Sequence, residues 1–198
     1  MVRQTARRGF PTASGFLLAA CASAHPNAAG HRGVDRGVGA TFAQARGYYG
    51  VPILQKSLLW DGNGEDDDAG LGVHVGHFAA DDLAIGAGLN LGTWFYPGGN
   101  ATSGELEGLL RWYPVHDLPL FLDLHGGYQH ATEPTPRGGT DWNFSFGFGP
   151  GIDLPVGDGC SLELGTTYHH ISNALGRQND RNPSQNEARL WLGVAWTL

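Results

Sequence analysis

In the segment Tyr168-His169-His170-Ile171-Ser172-Asn173, an imidazole precedes a hydroxyl by two positions. A histidine within reach of a serine is a general base beside a latent nucleophile, the pairing that lets a hydroxyl attack an ester carbonyl. His-x-Ser has a second use, because at a membrane surface the same two side chains can bond headgroups and water. Metal ligation is a third, but no spacing among His169, His74 and His125 is diagnostic of a ligand set. Which use applies depends on the element that carries the residues and on the face it gives each one.

Strict two-residue alternation dominates the chain. From Asp141 to Leu154, Trp142, Phe144, Phe146, Phe148, Ile152 and Leu154 hold one parity, while Asn143, Ser145, Gly147, Gly149, Gly151 and Asp153 hold the other. A period of two puts such sets on opposite faces of a strand, whereas a helix would scatter both. The pattern recurs over 71–76, 83–95, 105–112, 120–129, 160–172 and 189–198, with a less regular run inside 40–60, which makes eight segments. An even number of strands of this length suits a small closed barrel. The expected fold class is therefore all-β, an eight-stranded antiparallel transmembrane β-barrel. On the 160–172 strand, Cys160, Leu162, Leu164 and Tyr168 form the apolar set, and His170 and Ser172 share their parity. His169 takes the other face, with His74 and His125.

The second face of most segments is Gly, Asn, Ser and isolated charges. That is a poor outer surface for a soluble protein but a suitable narrow interior, where Glu105, Glu107, Arg111, Asp123 and Glu163 can pair. Composition agrees: 32 glycines, 41% apolar and 16% charged residues in 198 are too apolar for a disordered chain and fit closely approaching backbones. No stretch past the N-terminus reaches the roughly 20 apolar residues of a spanning helix. A net charge of −7 without a basic stripe argues against nucleic acid as a partner. The run Asp66-Asp67-Asp68 reads as a solvated loop.

Connections should alternate in length, short at 79–82, 115–118 and 155–159, longer at 61–68, 97–104, 131–140 and 173–186. Short periplasmic turns and long outer loops produce that alternation. Aromatics then sort into two belts, Trp112 and Trp196 at the short-turn end, Phe95, Tyr128, Trp142 and Tyr168 at the other. His170 and Ser172 are thus expected on the lipid-facing wall near the long loops, where polar groups cost free energy unless function requires them. Arg3, Arg7 and Arg8 ahead of Phe16-Leu17-Leu18-Ala19-Ala20 read as an export signal over 1–24. Its cleavage is open between Ala22-Ser23-Ala24 and the lipobox-like Leu18-Ala19-Ala20-Cys21. Residues 25–38 read as a linker and 39–198 as the barrel.

Four stretches carry a resemblance: Arg111-Trp112-Tyr113-Pro114, Pro119-Leu120-Phe121-Leu122-Asp123, Gly139-Thr140-Asp141-Trp142-Asn143-Phe144, and His170-Ile171-Ser172-Asn173-Ala174 with the later Asn182-Pro183-Ser184-Gln185-Asn186. Together they make residues 83–198 resemble the PagL-like lipid A 3-O-deacylases, a family of acyloxyacyl hydrolase-like barrels. The resemblance implies an eight-stranded barrel of the bacterial outer membrane that hydrolyses the ester-linked acyl chain at the 3-position of lipid A. Lipopolysaccharide and membrane lipid would be its partners, and no metal or other cofactor is implied. Ser172 matches the nucleophile and His170 the base, with Asn173 and Ala174 supporting the oxyanion. The family's histidine-orienting glutamate falls on Asn186, with Glu187 next to it as the alternative acid. Parity gives Asn186 the lipid-facing side and Glu187 the lumen, though a bulge could bring Glu187 round. An asparagine can orient a histidine, but it stabilises imidazolium less than a carboxylate does. That substitution leaves a rival reading, a non-catalytic structural or adhesive barrel with a degenerate site.

Overall fold

The computed structural model describes residues 33–53, 61–62, 64–176 and 179–198. The expected signal segment and residues 25–32 of the expected linker lie outside them. Eight strands follow in chain order: β1 (Thr41–Pro52), β2 (Asp67–Ala80), β3 (Leu83–Tyr96), β4 (Gly99–Trp112), β5 (Leu120–Thr135), β6 (Thr140–Gly157), β7 (Cys160–Ser172) and β8 (Gln185–Thr197). Each pairs antiparallel with the next, and β8 closes on β1. The closed eight-stranded barrel expected from the alternation is what forms. Its shortest strand has 12 residues, against the roughly 9–11 that cross a bilayer.

The alternation turns the barrel inside out relative to a soluble protein. Leu71, Val73, Leu91 and Leu106 are each more than half exposed on the outer wall, with Leu71 at 69%. An apolar band of this extent is stable only where lipid solvates it. Charges go inside. Arg111 donates to both oxygens of Asp123, at 2.8 and 2.9 Å, and to Glu163 at 2.7 Å. Glu107 gathers Arg46 at 2.8 Å, His74 at 2.5 Å and His125 at 3.2 Å. Toward the short-turn end, Phe42, Phe78, Tyr113, Phe121 and Trp191 pack in series with ring centroids 5.4–6.3 Å apart. Side chains fill this lumen, as a barrel of eight strands requires.

Three expectations are corrected. The connections at 97–104 and 131–140 shrink to 97–98 and 136–139, because β3, β4 and β5 run on into them, with Tyr96 still opposite Gly99. The long connections are 53–66 and 173–184. Residues 33–38 are not a free linker. Gly33 bridges to Asp158, Val34 is buried, and Arg36 donates to the His116 and Leu118 carbonyls while lying 4.5 Å from the Tyr113 ring. The segment straps the short-turn mouth. Nor is the acidic run solvated throughout: Asp66 accepts from Arg137 at 2.9 Å and Asp68 from Arg189 at 2.8 Å, both carboxylates buried, and only Asp67 between them faces outward. Strand parity, which sends Asp68 inward at the start of β2, overrides the tendency of like charges to stay in water.

Candidate active site

Strands β7 and β8 run in unbroken register, with His169 opposite Glu187 and His170 opposite Asn186. Directly opposed residues share a face, so the two pairs lie on opposite sides of the wall. On the outer side His170 Nδ1 donates to Asn186 Oδ1 at 2.7 Å, and the Tyr168 hydroxyl donates to the same oxygen at 2.7 Å. The bond fixes the Nδ1 proton and makes Nε2 the basic nitrogen of the ring. Across β6, Phe144, Phe146 and Phe148 oppose Ser172, His170 and Tyr168 in turn. His170 is thereby only 6% exposed although it faces lipid. Ser172 is the next residue on that face, half-buried at the end of β7. Its hydroxyl makes no hydrogen bond among the described residues.

Glu187, the alternative acid, points the other way. It accepts from His169 Nδ1 at 3.0 Å, Arg189 Nε at 2.9 Å and Gln185 Nε2 at 2.6 Å, all inside the barrel. With no bulge in the β7–β8 ladder, it does not reach His170, so the partner of the outer histidine is Asn186.

Asn173 requires a correction. Its side-chain amide donates to Thr140 Oγ1 at 3.0 Å and to the Arg181 carbonyl at 2.6 Å, while its backbone N–H donates to Asn182 Oδ1 at 3.2 Å. Every donor on this residue is committed to shaping the 173–184 loop. Ala174 is held at φ 58°, a left-handed conformation unusual for alanine, and its N–H has no hydrogen-bond partner among the described residues. Of the two expected oxyanion supports, Asn173 has its donors occupied, and only the Ala174 amide is uncommitted among the described residues.

Ile53 and Gly62, from the connection between β1 and β2, lie against Asn186. Ile53 N–H donates to the Asn186 carbonyl at 2.8 Å, and a Cβ at Gly62 would come within 2.9 Å of the Asn186 nitrogen. Only glycine allows that approach. Below the site, between Tyr168 and Trp112, an apolar groove of about 510 Å³ runs down the outer wall, walled by Leu122, Leu124 and Phe148 with Thr166 beside Tyr168. Sequence reasoning missed the Tyr168 hydroxyl, because an aromatic residue at this height reads as part of the interfacial belt. The one signal available was its parity, two residues before His170 on the same face.

A family model described as the outer membrane protein beta-barrel domain matches residues 14–195. No curated protein matches the chain. Among solved structures, Neisserial surface protein A is 15% identical, covering 80% of this chain and 97% of that one, with a TM-score of 0.57. The outer membrane enzyme PagL is also 15% identical, covering 76% and 97%, with a TM-score of 0.52. OprG from Pseudomonas aeruginosa is 13% identical, covering 84% and 98%, with a TM-score of 0.49. At such identities the likeness concerns the fold alone, whereas the family match spans nearly the whole sequence. The chain belongs to the outer membrane protein β-barrel family, and its place is the outer membrane.

Proposed function

We propose that this protein is a serine esterase that removes the 3-O-linked acyl chain of lipid A in lipopolysaccharide, with Ser172 as nucleophile and His170 as base. The observation that carries the reading is the hydrogen bond from His170 Nδ1 to Asn186 Oδ1 on the lipid-facing wall, with Ser172 next along that face. A polar trio in such a place has an energetic cost that a purely structural barrel has no reason to bear. The apolar groove below Tyr168 supports the reading as a channel for an acyl chain. The site's height, beside the outer loops, fits a lipid of the outer leaflet.

In the proposed reaction Ser172 Oγ attacks the ester carbonyl carbon while its proton passes to His170 Nε2. The tetrahedral oxyanion faces the Ala174 amide. Its collapse breaks the bond to the sugar oxygen, which takes the proton back from His170. Water, deprotonated by the same nitrogen, then attacks the acyl-serine carbonyl; the acyl–Oγ bond breaks, Ser172 Oγ takes the proton back from His170, and the fatty acid is freed. Asn186 keeps the ring in the required tautomer throughout.

Purified wild-type protein incubated with lipopolysaccharide should release 3-hydroxy fatty acid, and Ser172→Ala should release none while keeping heat-modifiable migration of the folded barrel. Unchanged release by Ser172→Ala would remove Ser172 from the mechanism. Release from phospholipid but not lipopolysaccharide would change the substrate. The rival, a barrel without catalysis, draws on two observations, the Ser172 hydroxyl, unbonded among the described residues, and the amide in the acid's position. It predicts no release from either lipid.

A further inference from the structure

We infer that Tyr168 is a positioning residue of this site, its hydroxyl holding the Asn186 carboxamide with the oxygen, rather than the NH2 group, toward His170 Nδ1. The inference rests on the reading of His170 as a base.

A carboxylate has two equivalent oxygens and cannot present the wrong atom to a histidine. A carboxamide can. If its NH2 group faced the ring, Nδ1 would have to accept, the ring proton would move to Nε2, and Nε2 would lose the lone pair that takes the serine proton. An error of this kind in a Ser-His-Asp enzyme lowers turnover by about 10⁴-fold. A neutral amide in the acid's position therefore needs something to orient it.

The Tyr168 hydroxyl fits that requirement. It and His170 Nδ1 converge on Asn186 Oδ1, both at 2.7 Å, so the oxygen is the atom on which two donors agree. The phenol is itself held in place, its ring 5.3 Å from that of Phe148. Across the ladder Tyr168 opposes Ala188, whose methyl group leaves open the diagonal path to Asn186, two residues away on the same face. Reversing the amide would confront the imidazole N–H with an NH2 group and would turn the phenol from donor to acceptor.

The test is Tyr168→Phe, which keeps the ring and its packing. In native protein it should lower kcat for release of fatty acid by roughly tenfold to a hundredfold, with KM held within about twofold. In an Asn186→Glu background, where no orientation has to be chosen, the same change should alter kcat less than about threefold. Imidazole ¹⁵N spectra in micelles, with the His170 signal identified by its loss in His170→Gln, should show the Nδ1–H tautomer in the native protein and an Nε2–H population in Tyr168→Phe. An unchanged tautomer, or an equal loss in both backgrounds, would overturn the inference and reduce Tyr168 to packing. Absence of turnover in the wild type would sink the esterase reading instead, and the spectra would still decide the role of Tyr168.

Discussion

The two faces of the β7–β8 pair make the same histidine contact in two chemistries. Inside, His169 meets Glu187, whose charge is matched by Arg189, which in turn reaches Asp68 at 2.8 Å and Glu105 at 3.7 Å. Outside, one residue further along each strand in opposite senses, His170 meets Asn186, and the surrounding groups are a phenol and phenylalanines. A buried carboxylate is tolerable only where a cation and further donors surround it. The lumen provides them through Arg189 and Gln185. On the lipid side an amide needs no counter-charge, so it can hold a histidine without a second network. The wall thus separates two duties: charged pairs within tie the strands together, and a neutral pair without presents an imidazole to lipid.

Substitutions on the two faces should therefore have opposite signatures. The largest effect is expected from His170→Gln, which removes the proposed base and should lower release of fatty acid roughly 10⁴-fold or more, with the urea midpoint of the folded barrel unchanged. Loss of stability in that variant would show that the outer pair is structural. Glu187→Ala leaves Arg189 and His169 buried without their shared carboxylate. Breaking a buried pair of this kind costs about 3–5 kcal/mol, and urea unfolding followed by tryptophan fluorescence should show it. Asn186→Ala should sit between them, lowering kcat about tenfold to a hundredfold while changing stability by less than about 1 kcal/mol. If Glu187→Ala and Asn186→Ala destabilise equally, the division between the faces fails.

Much of this division was legible in the sequence because parity is a strict code. Once β7 and β8 were recognised as strands, Asn186 and Glu187 had to point apart, and the Arg111–Asp123–Glu163 cluster had to lie inside. What parity does not encode is where a strand stops. Asn100 and Thr102 look like loop residues, yet they continue β4 because the turn at Pro97-Gly98 is tight and the ladder to β3 persists. Nor does it encode non-local claims on a side chain. Asn173 next to a serine suggests an oxyanion donor, but Thr140, thirty-three residues earlier, and the Arg181 carbonyl consume its amide. Arg36 similarly finds its carbonyl partners in the 113–119 turn, which no local pattern foretells.

A third histidine pair tests the comparison from outside the membrane. His116, in the turn between β4 and β5, has its side chain 72% exposed and its Nδ1 2.5 Å from Asp82 Oδ2. The hydrogen bond to Asp82 holds its pKa above the ordinary value, with Asp117 adding to the effect and Arg36, 3.6 Å from the same carboxylate, opposing it. A histidine whose pKa is raised by folding stabilises the fold fully below its unfolded value of about 6.5, and the contribution vanishes as pH climbs through the folded value. Water screens this pair, so its effect should be the smallest of the four. The difference in urea midpoint between wild type and His116→Gln should be greatest near pH 6 and close to nil near about pH 9. A difference that stays flat over that range would mean the Arg36 contacts alone secure the mouth. It would also leave the lumen as the place where imidazole–carboxylate pairs contribute to the barrel's stability.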